Sequence, residues 1–406
     1  MSNNKTPTGM ALSALDATFR EHPNVYIDEL RSAEPVHRDR EYDRVVLTRA
    51  GDIESMLNDR TLSKDLRKNR RPGSYLRSIK RVDDNYQPSM LFSDPPDHTR
   101  LRNLVSKAFN QQSVDVMRPR IAEIANQLLD EIPDSRRFDF IEAYANPLPT
   151  IVIAVMLGID ERDHKDFKLW SDSHIYAFNS AITAEETAEL QAGIKALNHY
   201  FSDVIRVRRK ERGTDLISSL ISAEEDGQKL TEAEIISICQ LLLSAGNVTT
   251  TDLLGNGVLA LLRNPTELAK LTARPELIRD TVEEILRYDS PVANAARIAT
   301  KPMQIGGVEV EEGQTISALL LGGNRDPSVH QNPHKFDIER PDKRHSSFGG
   351  GIHYCLGAPL ARAQSQIGIP ILFARFPRLR LAPDYIPVHK SFPGFNGLKS
   401  LYLETD

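Results

Sequence analysis

The segment from Ile235 to Leu262 constrains the fold of this chain most strongly. It holds 28 residues with a single charge, Asp252, and by length alone it could cross a bilayer. Its middle is polar, however: residues 244–252 read Ser-Ala-Gly-Asn-Val-Thr-Thr-Thr-Asp. Placing such a cluster in the hydrocarbon core of a bilayer is energetically unfavourable. Thr231 and Glu234 fit a capping box before the segment. The pattern therefore predicts a long helix buried in a large α-domain, with a polar patch that indicates function.

The composition excludes several classes of protein. The 406 residues include 51 Lys and Arg and 56 Asp and Glu, which gives a net charge of −5. The chain therefore lacks the excess of basic residues that is typical of nucleic-acid-binding proteins. The two cysteines, Cys239 and Cys355, are too few for a zinc site of three or four thiolates, and they favour a reducing compartment. The first residues lack a basic start followed by an apolar stretch, so we expect a cytoplasmic protein without a membrane anchor.

Helical periodicity dominates the rest of the chain, and strand patterns are sparse. The sequence predicts helices at Val25–Ala33, Thr99–Phe109, Met117–Glu131, Pro149–Leu157, Glu185–Arg212, 231–263, Pro265–Ala273, Pro275–Tyr288 and Leu356–Phe376. It predicts a strand at Arg44–Thr48, and a hairpin of Met303–Val310 with Gln314–Leu321. Residues 68–88 are typical of a mobile loop. No repeat or linker marks a boundary, so we expect a single, mainly α domain over 1–406, with residues 1–20 loosely attached.

Residues 348–357 read Phe-Gly-Gly-Gly-Ile-His-Tyr-Cys-Leu-Gly. Three consecutive glycines permit backbone torsions and close approaches that other residues do not. Cys355 falls just before a predicted helix, whose dipole and free amides stabilise a thiolate. A thiolate in such a loop is a ligand or a nucleophile, whereas Cys239, inside the apolar helix, is expected to be a buried packing residue.

The fixed positions Phe-Gly-x-Gly-x-His-x-Cys-x-Gly of this segment, from Phe348 to Gly357, resemble the haem-binding loop of cytochromes P450. The resemblance spans roughly residues 20–406. It implies the cytochrome P450 fold, a large α-rich region with a small β-rich region and haem b between a long central helix and the cysteine loop. It also implies that Cys355 is the thiolate ligand of the haem iron and that Phe348 packs against the haem on the sulfur side.

A second motif, Glu284-Ile-Leu-Arg287, places two opposite charges on one helix face. By itself this spacing is weak evidence for a structural role, because ion pairs on helices are usually solvated surface features. It resembles the family's Glu-x-x-Arg pair, whose partner arginine is matched by Arg340 in Phe336-Asp-Ile-Glu-Arg340. The resemblance implies a structural triad of Glu284, Arg287 and Arg340 that holds the loop approaching the cysteine.

A third group is cationic. His98 and Arg102 stand four residues apart on a predicted helix, and buried carboxylates need charged partners. By resemblance, His98, Arg102, Arg297 and His353 bind the two haem propionates.

The polar patch resembles the family's oxygen-activation motif, Ala-Gly-x-acid-Thr-Thr. Gly246 lets the helix distort, and Thr249 matches the threonine of the proton relay. Val248 stands where the family has its acid. Asn247, Asp252 or ordered water could substitute, and the sequence does not choose among them.

These resemblances imply a soluble, bacterial-type haem-thiolate monooxygenase that oxidises a hydrophobic small molecule. Electrons would come from a separate ferredoxin and its reductase, and we expect a monomer. The substrate pocket would be lined by Phe178, Ala245, Val292, Ala293, Asn294, Phe392 and Phe395.

Three alternatives stay open. Val248 favours a peroxide-driven peroxygenase, or a haem-thiolate isomerase or dehydratase, which needs no electron supply. A haem- or ligand-binding protein without turnover is a second alternative. The third is a cysteine hydrolase using Cys355 with His353, although no third orienting residue is evident.

Overall fold

The computed structural model describes residues 7–71, 89–132, 137–163, 169–170, 173, 176, 182–225 and 227–405. Most of the predicted mobile loop therefore lies outside the described residues.

The α-helices are α1 Ala17–Glu21, α2 Pro23–Ala33, α3 Ala50–Asn58, α4 Asp97–Ala108, α5 Gln111–Asp130, α6 Pro147–Leu157, α7 Ala184–Lys210, α8 Leu216–Ser222, α9 Glu232–Arg263, α10 Pro265–Ala273, α11 Ile278–Tyr288, α12 Leu320–Gly323 and α13 Ala358–Arg375. Shorter 3₁₀ turns lie at Gly9–Leu12, Leu66–Lys68, Met90–Phe92, Glu161–Asp163, Pro275–Leu277 and Gly351–His353, and a π-helical turn at Ile141–Ala145.

Local capping explains where the helices begin. At the start of α9 the Thr231 N–H donates to Glu234 Oε2 (2.8 Å), and the Glu234 N–H donates to Thr231 Oγ1 (3.3 Å). This is the capping box predicted from the sequence. Helix α5 begins earlier than its periodicity predicts, because Asn110 and Ser113 cap its first turn with reciprocal bonds of 3.1 Å. Among the described helices, none combines the length and the hydropathy needed to cross a membrane.

The strands are β1 Val36–Asp39, β2 Arg44–Leu47, β3 Arg137–Asp139, β4 Glu224–Glu225, β5 Gln228–Lys229, β6 Asn294–Ile298, β7 Met303–Ile305, β8 Val308–Val310, β9 Thr315–Leu319, β10 Arg380–Leu381, β11 Val388–His389, β12 Leu398–Ser400 and β13 Tyr402–Glu404. The main sheet has the order β1-β2-β9-β6. Strands β2 and β9 are parallel, and the other pairs of this sheet are antiparallel.

The predicted hairpin between Met303–Val310 and Gln314–Leu321 is wrong. Strand β7 instead turns at once into β8, and Ile305 pairs with Val308. Gly306 and Gly307 make that turn with φ of 53° and 83°, a left-handed conformation that suits a two-residue hairpin. Strand β9 lies in the centre of the main sheet, between β2 and β6.

The chain divides into two compact units, and the long helix α9 contributes residues to each. The first unit comprises Met1–Arg81, Gly255–Cys355 and Ile386–Leu401. Its main sheet has an apolar cluster on each face. One cluster contains Val45, Leu47, Ile316 and Ala318 with α3, and the other contains Val46 and Leu319 with α2.

The second unit comprises Val82–Leu254, Leu356–Tyr385 and Tyr402–Asp406. Helix α5 packs against α13 and α6. The buried Tyr144 hydroxyl donates to the Gly368 carbonyl (2.9 Å), and a small sheet has the order β10-β13-β3.

Candidate active site

The cysteine loop of the first unit is closed by its own backbone. The Cys355 N–H donates to the Phe348 carbonyl (2.9 Å), and the Tyr354 N–H donates to the Gly351 carbonyl (3.1 Å). Gly349 and Gly351 have φ of 69° and 63°. A Cβ on Gly351 would lie 2.5 Å from the Leu57 carbonyl oxygen, so only glycine fits there. The loop therefore holds Cys355 in a fixed place, two residues before the helix cap Gly357.

The two thiols have different surroundings. Cys355 is partly exposed and forms no disulfide with Cys239, which is fully buried in α9. Burial raises the pKa of the Cys239 thiol well above its ordinary value, so this sulfur stays protonated. The geometry agrees with a packing role for Cys239 and leaves Cys355 as the candidate ligand.

The predicted triad comes together in the first unit. Arg287 and Glu284 are fully buried on α11, and Arg340 is almost so. Arg287 donates from Nε and Nη2 to the two Glu284 oxygens (2.7 and 2.8 Å). Arg340 Nε donates to Glu284 Oε1 (3.2 Å), and its other nitrogens donate to carbonyls of the segment 331–335. The triad therefore holds the segment 331–340, which precedes the cysteine loop in the chain, against α11.

The predicted propionate partners lie in both units. In the second unit, His98 and Arg102 are one turn apart on α4, and His98 is buried. In the first unit, Arg297 on β6 is 3% exposed, and His353 ends the turn before Cys355. Each of these side chains can offer a cation or a hydrogen-bond donor to a carboxylate.

Helix α9 keeps one stripe accessible although its second half is fully buried. Leu241, Ala245, Gly246 and Thr249 are partly exposed, whereas residues 250–260 are buried. Among the described residues, a Cβ on Gly246 would meet no atom within 4 Å outside the helix itself. The Thr249 hydroxyl donates to the Ala245 carbonyl (2.8 Å). Beyond Leu241, the stripe therefore consists of small side chains and one hydroxyl that the described residues leave accessible.

The structure does not bring Asn247 to that stripe. Its Oδ1 accepts a bond from Thr251 Oγ1 (3.3 Å), and the side chain is 5% exposed. With about 100° between successive residues of a helix, Asn247 lies on the side of α9 opposite Ala245 and Thr249. Asp252 is fully buried and lies on the Thr249 side, since three residues make nearly one turn. Val248 is buried and supplies no acid.

Five predicted pocket residues come together in the first unit. Val292 and Phe395 form an isolated antiparallel bridge, and the Ala293 N–H donates to the Gly394 carbonyl (2.9 Å). The rings of Phe392 and Phe395 are 5.5 Å apart. Ala293, Asn294 and Phe395 also line one cavity with residues of the amino-terminal segment. Ala245 belongs to the second unit, and Phe178 lies outside the described residues.

Asn294 and Arg297 project from opposite faces of β6. Asn294 pairs with Leu319 and Arg297 with Ile316, and side chains three residues apart on a strand point to opposite sides. Ile316 belongs to the apolar cluster on one face of the sheet and Leu319 to the cluster on the other. A propionate held by Arg297 would therefore lie on the face that Asn294 does not share.

These donors fit a haem. Within the first unit, a partly exposed thiol is held on a loop whose close approach to Leu57 only glycine permits, and the buried Arg297 can pair with a carboxylate.

Lys64 is a cation near Arg297 that no sequence pattern predicts. This half-buried lysine follows Ser63, which pairs with Ile298 beside β6. The segment Leu62-Ser-Lys-Asp65 has no pattern that predicts pairing with a strand more than 230 residues later in the chain, so only the structure reveals that Lys64 lies beside Arg297.

The comparisons with known proteins identify the family of the chain. The sequence model of the family Cytochrome P450 matches residues 37–385. The chain is 38% identical to Cytochrome P450 107B1 of Saccharopolyspora erythraea, over 92% of this chain and 93% of the relative. It is also 38% identical to the polyketide biosynthesis cytochrome P450 PksS of Bacillus subtilis, over 94% and 96%.

Solved structures are similar over nearly the whole chain. A crystal structure of P450BioI in complex with an acyl carrier protein carrying hexadec-9Z-enoic acid has a TM-score of 0.87 and 34% identity, and the match covers 96% of this chain and 99% of that one. The cysteine loop, the family match and the relatives lead to one conclusion: the chain belongs to the cytochrome P450 family.

Proposed function

We propose that this chain is a monooxygenase that uses haem b to insert one oxygen atom from dioxygen into a hydrophobic small molecule. The observation that carries the proposal is the closed loop that presents Cys355. When bound, haem supplies oxygen activation and oxygen-atom transfer, and the second oxygen atom leaves as water after uptake of two electrons and two protons.

Cys355 would hold the iron through its thiolate. Phe348, whose carbonyl accepts from the Cys355 N–H, would cover the sulfur side. His98, Arg102, Arg297 and His353 would fix the orientation of the macrocycle through its propionates, since charge-assisted bonds are the strong ones.

Thr249 would hold and deliver a proton at Oγ1. Its hydroxyl donates to the Ala245 carbonyl, which orients the oxygen on the accessible stripe of α9. Gly246 leaves room beside it. We assign the neighbouring proton store to Asp252 rather than to Asn247, because the side chains of a helix tilt toward its amino terminus and Asp252 follows Thr249 by one turn on the same side.

The substrate would contact Ala245 on α9, and Val292, Ala293, Phe392 and Phe395 in the first unit. These side chains are apolar, and apolar walls select a hydrophobic molecule and exclude water. Asn294 and Ala293 are the weakest members of the predicted set, because Asn294 lies on the face of β6 opposite Arg297 and Ala293 packs against the apolar cluster of that opposite face.

Electrons would come from a separate ferredoxin and its reductase. Exposed cations such as Lys107 and Arg344 would favour an acidic partner. The predicted cytoplasmic location and monomeric state remain predictions.

One observation favours a second candidate. Val248 is buried and replaces the family's acid, which suits a peroxygenase that takes its oxygen from hydrogen peroxide and needs no proton relay for dioxygen.

One experiment tests the function. The protein would be given isotopically labelled dioxygen, NADH, a ferredoxin, its reductase and hydrophobic molecules that shift its Soret band. Product carrying one labelled oxygen atom is expected. Product formed only when hydrogen peroxide is added, without label from dioxygen, would support the peroxygenase instead, and absence of any product across ligands that bind would contradict both.

A further inference from the structure

Residues 289–293 and 394–396 of the first unit lie side by side as a short antiparallel pair. Val292 and Phe395 form its bridge, and backbone bonds of 2.8 and 2.9 Å join the residues on either side of them. Both are predicted pocket residues. A pair of strands this short is marginally stable by itself, so the shape of the pocket depends on what else holds the two segments together.

Asn256 of helix α9 links the two segments. This side chain is 1% exposed, and its Nδ2 donates to the Asp289 carbonyl (3.1 Å) and to the Asn396 carbonyl (2.8 Å). The two hydrogens of one amide therefore bind an end residue of each segment. No donor among the described residues reaches Asn256 Oδ1, so the contribution of this amide comes from its nitrogen.

Asn396 completes the link from the other side. Its Nδ2 donates to Asp289 Oδ1 (2.6 Å) and to the Ser290 carbonyl (3.2 Å). Asp289 is the C-cap residue of α11, the helix that carries the buried ion pair of the triad. Two amides thus hold residues 394–396 against the end of α11, and one of them belongs to α9.

We propose that Asn256 is a positioning residue for the substrate, which together with Asn396 and Asp289 holds the pocket walls at Val292 and Phe395 in one arrangement. The inference rests on the proposed haem enzyme and adds a positioning residue to it. Without the two donors of Asn256, the wall segments gain conformational freedom. A ligand that contacts them must then order them on binding, which lowers its affinity.

Azoles test this without knowledge of the substrate, because an imidazole nitrogen is a metal ligand. Imidazole itself is too small to contact the walls, whereas N-phenylimidazole carries a ring that reaches them. Both should shift the Soret band of the ferric holoenzyme. The ratio of their dissociation constants therefore reports the walls, and the fraction of correctly folded protein cancels in it.

Asn256→Leu keeps a side chain of similar size and removes both donors. Its dissociation constant for N-phenylimidazole should increase by about three- to tenfold, the range that corresponds to roughly one hydrogen bond, while that for imidazole should change by less than about twofold. The matched control is Asn264→Leu, because the Asn264 Nδ2 donates to the Ala260 carbonyl of α9 (2.8 Å) and not to either wall segment. Its ratio should equal that of the wild type.

A second variant tests the same link from its more accessible end. Asn396 is partly exposed, so Asn396→Leu remains informative even if Asn256→Leu does not retain haem. It should lower the preference for N-phenylimidazole as well. The double variant should lose little more than either single variant, since both amides hold the same two segments and neighbouring sites are not additive.

An unchanged or increased preference for N-phenylimidazole in either single variant would overturn the proposal, and so would fully additive effects in the double variant. Imidazole distinguishes this failure from failure of the enzyme assignment. If the wild type binds imidazole and keeps the red-shifted carbon-monoxide band while the ratio is unchanged in the variants, the haem enzyme stands and the Asn256 assignment fails. If the wild type shows neither signal, both assignments fail.

Discussion

Arg287 donates hydrogen bonds to both carboxylate oxygens of Glu284, and neither side chain is exposed to solvent. A buried ion pair of this kind is weak evidence for stability in itself, but breaking it leaves an uncompensated charge. Removing the Glu284 charge would leave two buried arginines, Arg287 and Arg340, without their carboxylate partner, because Arg340 also donates to Glu284.

We therefore expect Glu284→Gln to lower the free energy of unfolding of the holoenzyme by about 3–5 kcal/mol, measured by urea titration. The matched control is Glu309→Gln, since Glu309 is exposed on β8 and its loss should change stability by less than about 0.5 kcal/mol. Equal effects of the two variants would show that the triad does not hold the loop.

Cys355 is expected to be the iron ligand. The reduced protein with carbon monoxide should show the red-shifted Soret band of thiolate ligation. Cys355→Ala should abolish this band, and Cys239→Ala should keep it, since Cys239 is buried within α9. The reverse pattern would overturn the assignment.

Much of the helical fold could be predicted from the sequence. The apolar run and its capping box predict the extent of α9, since the predicted helix 231–263 matches the observed Glu232–Arg263. The predicted cytochrome P450 fold is confirmed, since solved relatives match nearly the whole chain. The capping box and the apolar run are local signals, and the fold was predicted from the short motif around Cys355.

Strand pairing could not be predicted in the same way. The strand pattern at residues 315–319 is the same whether it forms a hairpin or a central strand, and only tertiary packing decided that β9 pairs with β2. The face of Asn294 and the position of Lys64 depend on the register of β6, and no local propensity sets that register.

Arg102 and Arg297 are expected to retain haem. Arg102→Ala or Arg297→Ala should weaken haem binding by about 1.5–3 kcal/mol each, measured as haem loss to apomyoglobin, while the thiolate band of the remaining holoenzyme persists. Arg100→Ala is the control on α4, because Arg100 is paired with Glu234. Normal haem content in the Arg102→Ala/Arg297→Ala double variant would contradict the placement.

Thr249 is expected to couple electron transfer to product formation. Because a positioned proton donor contributes roughly a hundredfold or more, Thr249→Ala should still bind substrate and consume NADH but release hydrogen peroxide in place of most of the product. The control is Thr250→Ala, the next residue on α9, which is buried and lies off the accessible stripe. Its ratio of product to NADH should stay close to that of the wild type.

The missing acid at Val248 makes a sharper test possible on the same helix. If Asp252 stores the proton, Asp252→Asn should uncouple nearly as strongly as Thr249→Ala, and the solvent isotope effect on NADH consumption should change, which a purely structural loss would not produce. Asn247→Ala should have little effect, since its side chain bonds to Thr251 on the far side of α9. Val248→Asp should not raise the product yield, because the relay already has its acid. Improved turnover in Val248→Asp, together with normal coupling in Asp252→Asn, would show instead that the chain lacks a working acid and would strengthen the peroxygenase alternative.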